Sequence, residues 1–292
     1  MAICVIPARG GSKRIKRKNL KEFCGKPIIA YSIENALKSG IFSKIIVSSD
    51  DAEILEFAKN SGVFALKRPA ELSDDYCGTR DVIIHAISAL GLCDSTLQNS
   101  EDGGQKSLCH CEAFAKSRSN PHYNKQTTES TSSLREFSLE FSWQSTLQNS
   151  GSGGRRAKSS QNPIVCCLYA TAPLLDSSYL QEAFKITKQK ATNCYCFSAC
   201  EFSYSPFRAF CIENGKNKML FKEHFAKRSQ DLEKVYHDAG AFYFATADTW
   251  QNRENIFENS ISFLLPQERV QDIDTLEDWN LAELKFRALN LG

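Results

Sequence analysis

Two groups of charged residues, near opposite ends of the 292-residue sequence, have the types and spacing that could do chemistry. Near the amino terminus, Ala8-Arg9-Gly10-Gly11-Ser12-Lys13 is followed by Arg17-Lys18-Asn19-Leu20. Arg9, Lys13 and Lys18 can neutralise several phosphate charges, and the Ser12 hydroxyl can add a donor. Gly10 and Gly11 allow a tight bend that brings backbone N–H groups close to an anion. This set suits a nucleoside triphosphate. The order is neither G-x-x-x-x-G-K-[ST] nor G-x-G-x-x-G, and the plainer alternative is a solvated basic turn or a weak nucleic-acid patch. Near the carboxyl terminus stands Asp272-Ile273-Asp274. In an extended segment, residues two apart project from the same side. Both carboxylates can therefore face one Mg²⁺, a hard ion suited to few carboxylates plus phosphate oxygens. Asp274 has a second possible role as N-cap of the following helix, with Glu277 completing a capping box. The two roles are compatible.

The flanking elements must bring such residues to one edge of a sheet. Ile3 to Ile6 reads as a short buried strand running straight into the glycines. Pro27 opens a helix with Ile28, Ile29, Ile33, Ala36 and Leu37 on one side, and Gly40 stands where a C-cap belongs. Strands follow at 44–48 and 63–66, separated by a helix that begins at Ser49-Asp50-Asp51. A helix from Thr79 to Leu90 carries Val82, Ile83, Ala86, Ile87 and Leu90, with His85 on its edge as a structural residue. Beyond residue 162 the pattern predicts strands at 164–169, 193–199, 241–245 and 261–265. It also predicts a helix capped by Asp176 or Ser177, and a terminal amphipathic helix over 275–289. Strands alternating with helices at this spacing predict an α/β, doubly wound, mostly parallel sheet with right-handed crossovers. Ligands of such sheets bind at the carboxyl ends of the strands.

Residues 94–162 break the pattern. Ser, Thr, Asn and Gln make up 31 of these 69 residues, and Val and Ile are absent. Ser95-Thr96-Leu97-Gln98-Asn99-Ser100 recurs at 145–150, but two copies of a hexapeptide do not make a solenoid. A segment so poor in branched apolar residues cannot offset its ordering entropy, so a disordered insertion into a single domain of 1–292 is expected. Closing a loop of this length costs only ~2 kcal/mol more than closing a short one. Phe137, Phe141 and Trp143 leave room for a partner-binding role.

A net charge of +2 gives no global attraction to nucleic acid or an anionic membrane. The sequence has no apolar run long enough to cross a bilayer and no signal-peptide pattern, so a cytoplasmic protein is expected. In that compartment the 12 cysteines are expected as thiols. Cys4, Cys166, Cys167, Cys194 and Cys196 read as small hydrophobes in strands. Cys109-His110-Cys111 lacks the further ligands that a zinc site needs.

The sequence resembles the cytidylyltransferases that activate nine-carbon acidic sugars. The resemblance rests on 8–13 with Lys18-Asn19, Arg68-Pro69-Ala70-Glu71-Leu72, Thr171-Ala172-Pro173-Leu174, Gly240-Ala241-Phe242-Tyr243 and Asp272-Ile273-Asp274-Thr275. Within the family, Tyr169-Ala170-Thr171-Ala172-Pro173, Arg228 to Leu232 and Tyr236 to Gly240 look like the members acting on pseudaminic acid; sialic acid members usually have Gln at the place of Tyr169 and Asn at that of Ala239. The resemblance implies attack of the sugar's anomeric hydroxyl on the α-phosphate of CTP, with release of pyrophosphate. It places Arg9, Gly10, Gly11, Ser12, Lys13 and Lys18 at the triphosphate, with Arg9, Lys13 and Lys18 acting in catalysis, and Asn19, Arg68 and Thr79 near the nucleotide. Tyr169, Thr171, Arg208, Arg228 and Tyr243 would bind the sugar, and Asp272 and Asp274 would hold Mg²⁺. It further implies a homodimer, with 201–238 as a small dimerisation extension. Sialic acid, legionaminic acid and Kdo are the alternative sugars, and a catalytically silent nucleotide-binding protein is the alternative outside enzymes.

Overall fold

The computed structural model describes residues 1–74, 77–92, 162–191 and 193–291. The expected insertion up to residue 161, with its repeated hexapeptide, Cys109-His110-Cys111 and the three aromatic residues, falls outside the described residues.

The amino-terminal half contains β1 (Ala2–Pro7), the short pair β2 (Glu22–Phe23) and β3 (Lys26–Pro27), α1 (Ile28–Ser39), β4 (Phe42–Ser49), α2 (Ala52–Asn60), β5 (Phe64–Lys67) and α3 (Thr79–Ala89). Then come β6 (Ile164–Leu168), α4 (Ser177–Lys190), β7 (Cys196–Glu201), the hairpin β8 (Phe210–Glu213) and β9 (Lys216–Met219), β10 (Tyr236–Thr246), α5 (Ala247–Asn252), β11 (Ile261–Leu264) and α6 (Leu276–Leu289). Seven strands form one sheet in the order β11-β7-β10-β6-β1-β4-β5. All neighbours are parallel except β10, which runs antiparallel to both β6 and β7. The sheet is thus mostly parallel, as expected.

Both faces of the sheet are covered, which is why its central strands read as continuous apolar runs rather than as alternations. Cys4, Ile6, Cys166, Leu168, Phe242 and Phe244 pack on one side against α1, α2 and α4 through Ile29, Ile33, Ile54 and Leu180. Val5, Val165, Cys167 and Tyr243 pack on the other against α3 and α5 through Ile83, Ile87 and Trp250. Local signals fix the helix ends. Asp51 caps α2 by accepting from the N–H groups of Glu53 and Ile54, and Asp176 caps α4 through Ser178. Gly40 ends α1 at φ 64°.

Two strand boundaries and one helix cap are corrected. The strand expected at 193–199 runs from Cys196 to Glu201, and that expected at 241–245 begins at Tyr236. The two extend together, because Tyr236, His237 and Asp238 pair with Glu201, Cys200 and Ala199. The cap of α6 is Thr275 rather than Asp274: its hydroxyl accepts from Asp278 N–H, and the Asp278 carboxylate, not that of Glu277, accepts from Thr275 N–H. Asp274 is thereby left for other partners. The amphipathic helix expected at the carboxyl end is α6, which buries Trp279 and Ala282 while Leu276 and Leu281 face outward.

A third apolar cluster joins the two ends of the sequence. Ile15, Phe23, Ile28 and Tyr31 pack with Ile273, Trp279 and Ala282. Phe23 meets Trp279 edge-on at 5.4 Å between ring centroids, a favoured aromatic geometry. The extension is built differently. Its β8–β9 hairpin turns through Asn214 and Gly215, both at positive φ, as a two-residue hairpin turn requires. Around it Tyr204, Phe210, Ile212, Leu220 and Phe225 lie exposed.

Candidate active site

The loop after β1 is held from several directions. Ala8 N–H donates to Ser48 O at 2.9 Å, which continues the pairing with β4 beyond Pro7. Gly10 N–H donates to Asp50 Oδ1 at 3.0 Å. Neither Gly10 nor Gly11 uses positive φ, so the bend does not depend on left-handed backbone. Gly10 is needed for space: a Cβ there would lie 2.7 Å from Asp51 Oδ2 and 2.8 Å from its Cβ. Asp51 cannot readily yield, since it caps α2. Gly11 faces open space. The buried Asn19 amide donates to Arg9 O at 2.9 Å, so Asn19 ties the loop to itself. Arg9 donates to Asp74 O at 3.4 Å, Ser12 is half-buried and Lys13 is exposed. Arg17 takes φ 55° and pairs with Glu53.

Ile15 from this loop and Ile273 from the acidic segment are buried in the same cluster. Burial of Ile273, at 1% exposure, turns Asp272 and Asp274 away from the core on either side of it. The two charged groups meet there. Lys18 Nζ donates to Ile273 O at 2.6 Å and lies 3.7 Å from Asp274 Oδ1, while Arg14 Nη1 is 2.8 Å from Asp274 Oδ2. Burial, and then the neighbouring Asp274 charge, hold the Asp272 carboxyl above the ordinary carboxylate range, partly offset by Lys18. Asp272 also lines a cleft of about 620 Å³ shared with Glu201, His237 and Lys285.

The other expected residues lie along the same carboxyl-terminal edge of the sheet. Arg68, 5% exposed, follows β5 and donates from Nη2 to Ser48 O at 2.7 Å. Its burial lowers its pKa, and the charge of Asp50 works against that. His85 faces Arg68; burial and that cation lower its pKa, and its Nδ1 has no hydrogen-bond partner. Tyr169 directly follows β6, and Thr171 stands half-buried in the loop after it. The Tyr169 hydroxyl is 2.9 Å from Thr79 Oγ1 at the start of α3. Its ring lies 5.5 Å from that of Tyr243, whose buried hydroxyl donates to Asp238. Burial pushes Tyr169 up to about 12 and Tyr243 higher still, so both keep their protons. Arg208 and Arg228 are apart from this group. Both are exposed on the extension, where Arg208 donates to Lys227 O and Arg228 pairs with Asp231 at 2.8 Å.

Sequence reasoning missed Arg14, Asp50 and Asp238. Arg14 was visible as one more cation in the loop. Asp238 was not: five residues from Tyr243, it belongs on the opposite face of a regular strand. The pairing of β10 with β7 shifts register between Asp238 and Tyr243, where Gly240 stands at φ 59°. Such a bulge re-aims side chains, and here it brings the carboxylate to the hydroxyl.

Residues 3–86 match the family model described as Cytidylyltransferase. Over 291 residues, 98% of this chain and 96% of the relative, the sequence is 38% identical to a pseudaminic acid cytidylyltransferase of Campylobacter jejuni. The chain belongs to the pseudaminic acid cytidylyltransferase family. Another member, from Helicobacter pylori, is 32% identical over 98% of this chain, which spans 43% of that protein; its name also includes a hydrolase of UDP-2,4-diacetamido-2,4,6-trideoxy-beta-L-altropyranose. An N-acylneuraminate cytidylyltransferase of Escherichia coli is 42% identical over 96% of this chain and 51% of its own length. Among solved structures, a CMP:2-keto-3-deoxy-manno-octonic acid synthetase complexed with CTP superposes with a TM-score of 0.57 at 14% identity, covering 99% of both chains. At that identity the likeness establishes the fold that this family member shares.

Proposed function

We propose that this chain transfers CMP from CTP to the anomeric hydroxyl of pseudaminic acid, forming CMP-pseudaminic acid and pyrophosphate with Mg²⁺ as cofactor. The observation that supports this reading is the meeting of the loop at 8–18 with Asp272-Ile273-Asp274, where the cations of Arg14 and Lys18 lie beside carboxylates of a type suited to a hard metal ion. Displacement at a phosphoryl centre depends on positioning and charge neutralisation more than on a covalent nucleophile. Arg9, Ser12, Lys13 and Lys18 would hold the triphosphate, and Arg68 and Thr79 would lie near the nucleotide. Tyr169 and Thr171 would bound the sugar, with Tyr243 supporting Tyr169 from behind.

The acidic pair fits a hard divalent cation. Both donors are carboxylate oxygens on the outer side of a buried Ile273, and the repulsion from Asp274 that adds to burial in lifting Asp272 is the kind a cation relieves. Asp272 and Asp274 would hold Mg²⁺, whose chemistry there would be neutralisation of charge at the reacting phosphate. Lys18 and Arg14 would then exchange part of their contact with Asp274 for contact with phosphate oxygens.

The exposed apolar side chains of the extension support a homodimer formed through 201–238, since patches of this kind mark interaction surfaces. Arg208 and Arg228, exposed on that segment, would bind the sugar's acidic side. A cytoplasmic location agrees with a CTP-using enzyme. Among the described residues, no helix is long and apolar enough to cross a membrane.

The test is pyrophosphate release from CTP and Mg²⁺ with pseudaminic, sialic, legionaminic acid or Kdo. Turnover with pseudaminic acid is expected. Turnover with sialic acid alone overturns the choice of sugar. Tight CTP binding with no turnover on any of the four points to a silent nucleotide-binding protein.

A further inference from the structure

The loop after β6 and the segment after β11 are each fastened by several hydrogen bonds, and one side chain runs between them. The loop at 169–175 carries Tyr169 and Thr171. Tyr169 N–H donates to Ala241 O at 2.9 Å. Tyr169 O accepts from Ser32 Oγ at 2.7 Å and Leu175 O from Asn35 Nδ2 at 2.5 Å, so α1 grips the loop at both ends. The segment at 266–274 carries Asp272 and Asp274. Lys285 Nζ, from α6, donates to Val270 O at 2.7 Å and to Gln267 O at 3.3 Å. Gln267 Nε2 donates to Glu201 O, at the end of β7, at 3.2 Å.

The side chain between them is Arg269. It stands three residues before Asp272 and donates from Nη1 to Leu174 O at 3.3 Å, three residues beyond Thr171. Leu174 is buried, and a buried carbonyl needs a partner from the protein. Arg269 itself is half-buried, so its guanidinium is not a loose surface group. Ala172, Leu175 and Leu265 also share one apolar cluster, with Val270 packed against it. Apolar packing has no direction, however, whereas a hydrogen bond fixes one backbone against another.

We propose that Arg269 is a positioning residue that holds the loop of Tyr169 and Thr171 in register with the segment of Asp272, and so aligns the sugar with the nucleotide. The proposal rests on the cytidylyltransferase reading, in which the loop bounds the sugar and the acidic segment serves the nucleotide. Transfer needs the anomeric hydroxyl in attacking position at the α-phosphate, and a misplacement of about 1 Å can cost ~10²-fold in rate. Arg269 acts on that alignment through two backbones, without touching either substrate. The loop keeps Ser32 and Asn35, and the segment keeps Lys285 and Gln267, when Arg269 is changed. The loss therefore falls on the relative placement of the two, not on folding or on nucleotide binding.

The experiment compares wild-type protein, Arg269→Met and Arg269→Lys. Methionine keeps an apolar stem and removes every donor; lysine restores one donor. The readouts are melting temperature, CTP binding by calorimetry with Mg²⁺ and no sugar, and pyrophosphate release with pseudaminic acid at saturating CTP. Arg269→Met is expected to bind CTP with the wild-type affinity while kcat/KM for pseudaminic acid falls by about 10–10²-fold. Arg269→Lys is expected to recover most of that loss. An unchanged kcat/KM in Arg269→Met overturns the proposal, as does a lysine variant no better than the methionine one. CTP affinity that falls in step with turnover also overturns it, because that is the mark of a general structural role. If Arg269→Met fails to fold, Arg269→Gln, whose amide sits on a shorter stem, carries the same readouts. Wild-type protein inactive on all four sugars removes the functional reading and this proposal with it, whereas active wild type beside an unaffected variant removes the proposal alone.

Discussion

The loop at 8–18 and the extension at 201–238 are both polar, basic and rich in turns, yet they are held in opposite ways. The loop is fastened to its own chain: Ile15 is buried beside Ile273, Asn19 bonds back to Arg9 O, and Lys18 reaches Ile273 O across the whole length of the sequence. The extension points its large apolar side chains outward, with Tyr204 90%, Ile212 70% and Phe225 71% exposed. The difference teaches which of the two regions finds its packing partners within its own chain. The loop and the acidic segment are assembled within one chain, whereas the segment carrying Arg208 and Arg228 leaves large apolar side chains uncovered, as the proposed dimer requires.

The largest effect expected from breaking the loop side is on turnover. Asp272→Asn should lower kcat by about 10²–10³-fold, the scale of removing one preorganised electrostatic contact, with no loss in melting temperature. The Asp272 carboxyl is held above its ordinary range, so its ionisation is disfavoured in the folded protein. Next comes the shared apolar anchor. Ile273→Ala should cost about 2–5 kcal/mol of stability in denaturant unfolding, because it opens a cavity where the two segments join. Gly10→Ala should cost about 1–3 kcal/mol by forcing a Cβ against Asp51, and it should raise KM for CTP.

A smaller effect is expected in the pH dependence. For a carboxyl raised in the folded state, the stabilising contribution is present at pH below the ordinary carboxylate range and is lost as pH rises through the elevated value. Wild-type stability should therefore fall by a small step on the acid side of neutrality, and Asp272→Asn should lack that step when melting is followed across pH. The smallest stability change belongs to the extension. Ile212→Glu should alter unfolding by no more than about 0.5 kcal/mol, as for an exposed site, while shifting the sedimenting species from dimer to monomer. A dimer that survives this change together with Phe225→Asp would remove the contrast between the two regions.

Much of the loop side was legible before any coordinates, because its signals are local. The strand ending in Arg9-Gly10-Gly11, the caps at Asp51 and Asp176, and the alternation around Ile273 each depend on neighbours within a few residues. What could not be read depends on distant partners. The cap of α6 falls to Thr275 because Asp278 returns its hydrogen bond, while Asp274 is drawn off by Arg14 and Lys18 from the far end of the chain. Leu276 and Leu281 look like core residues by composition, yet the face that α6 buries is chosen by Phe23 and Tyr31 through Trp279 and Phe286. Asp238 reaches Tyr243 only through a bulge that overrides the two-residue period of the strand.

The most direct test of the meeting of loop and acids is whether one nucleotide needs both. Melting of wild-type protein, Lys18→Met and Asp272→Asn is compared with and without CTP and Mg²⁺. A ligand at 100 times its Kd stabilises the folded state by about 2.7 kcal/mol, so the wild-type transition should rise clearly, and each variant should lose most of that rise. A variant in either group that keeps the full rise would contradict a shared nucleotide site.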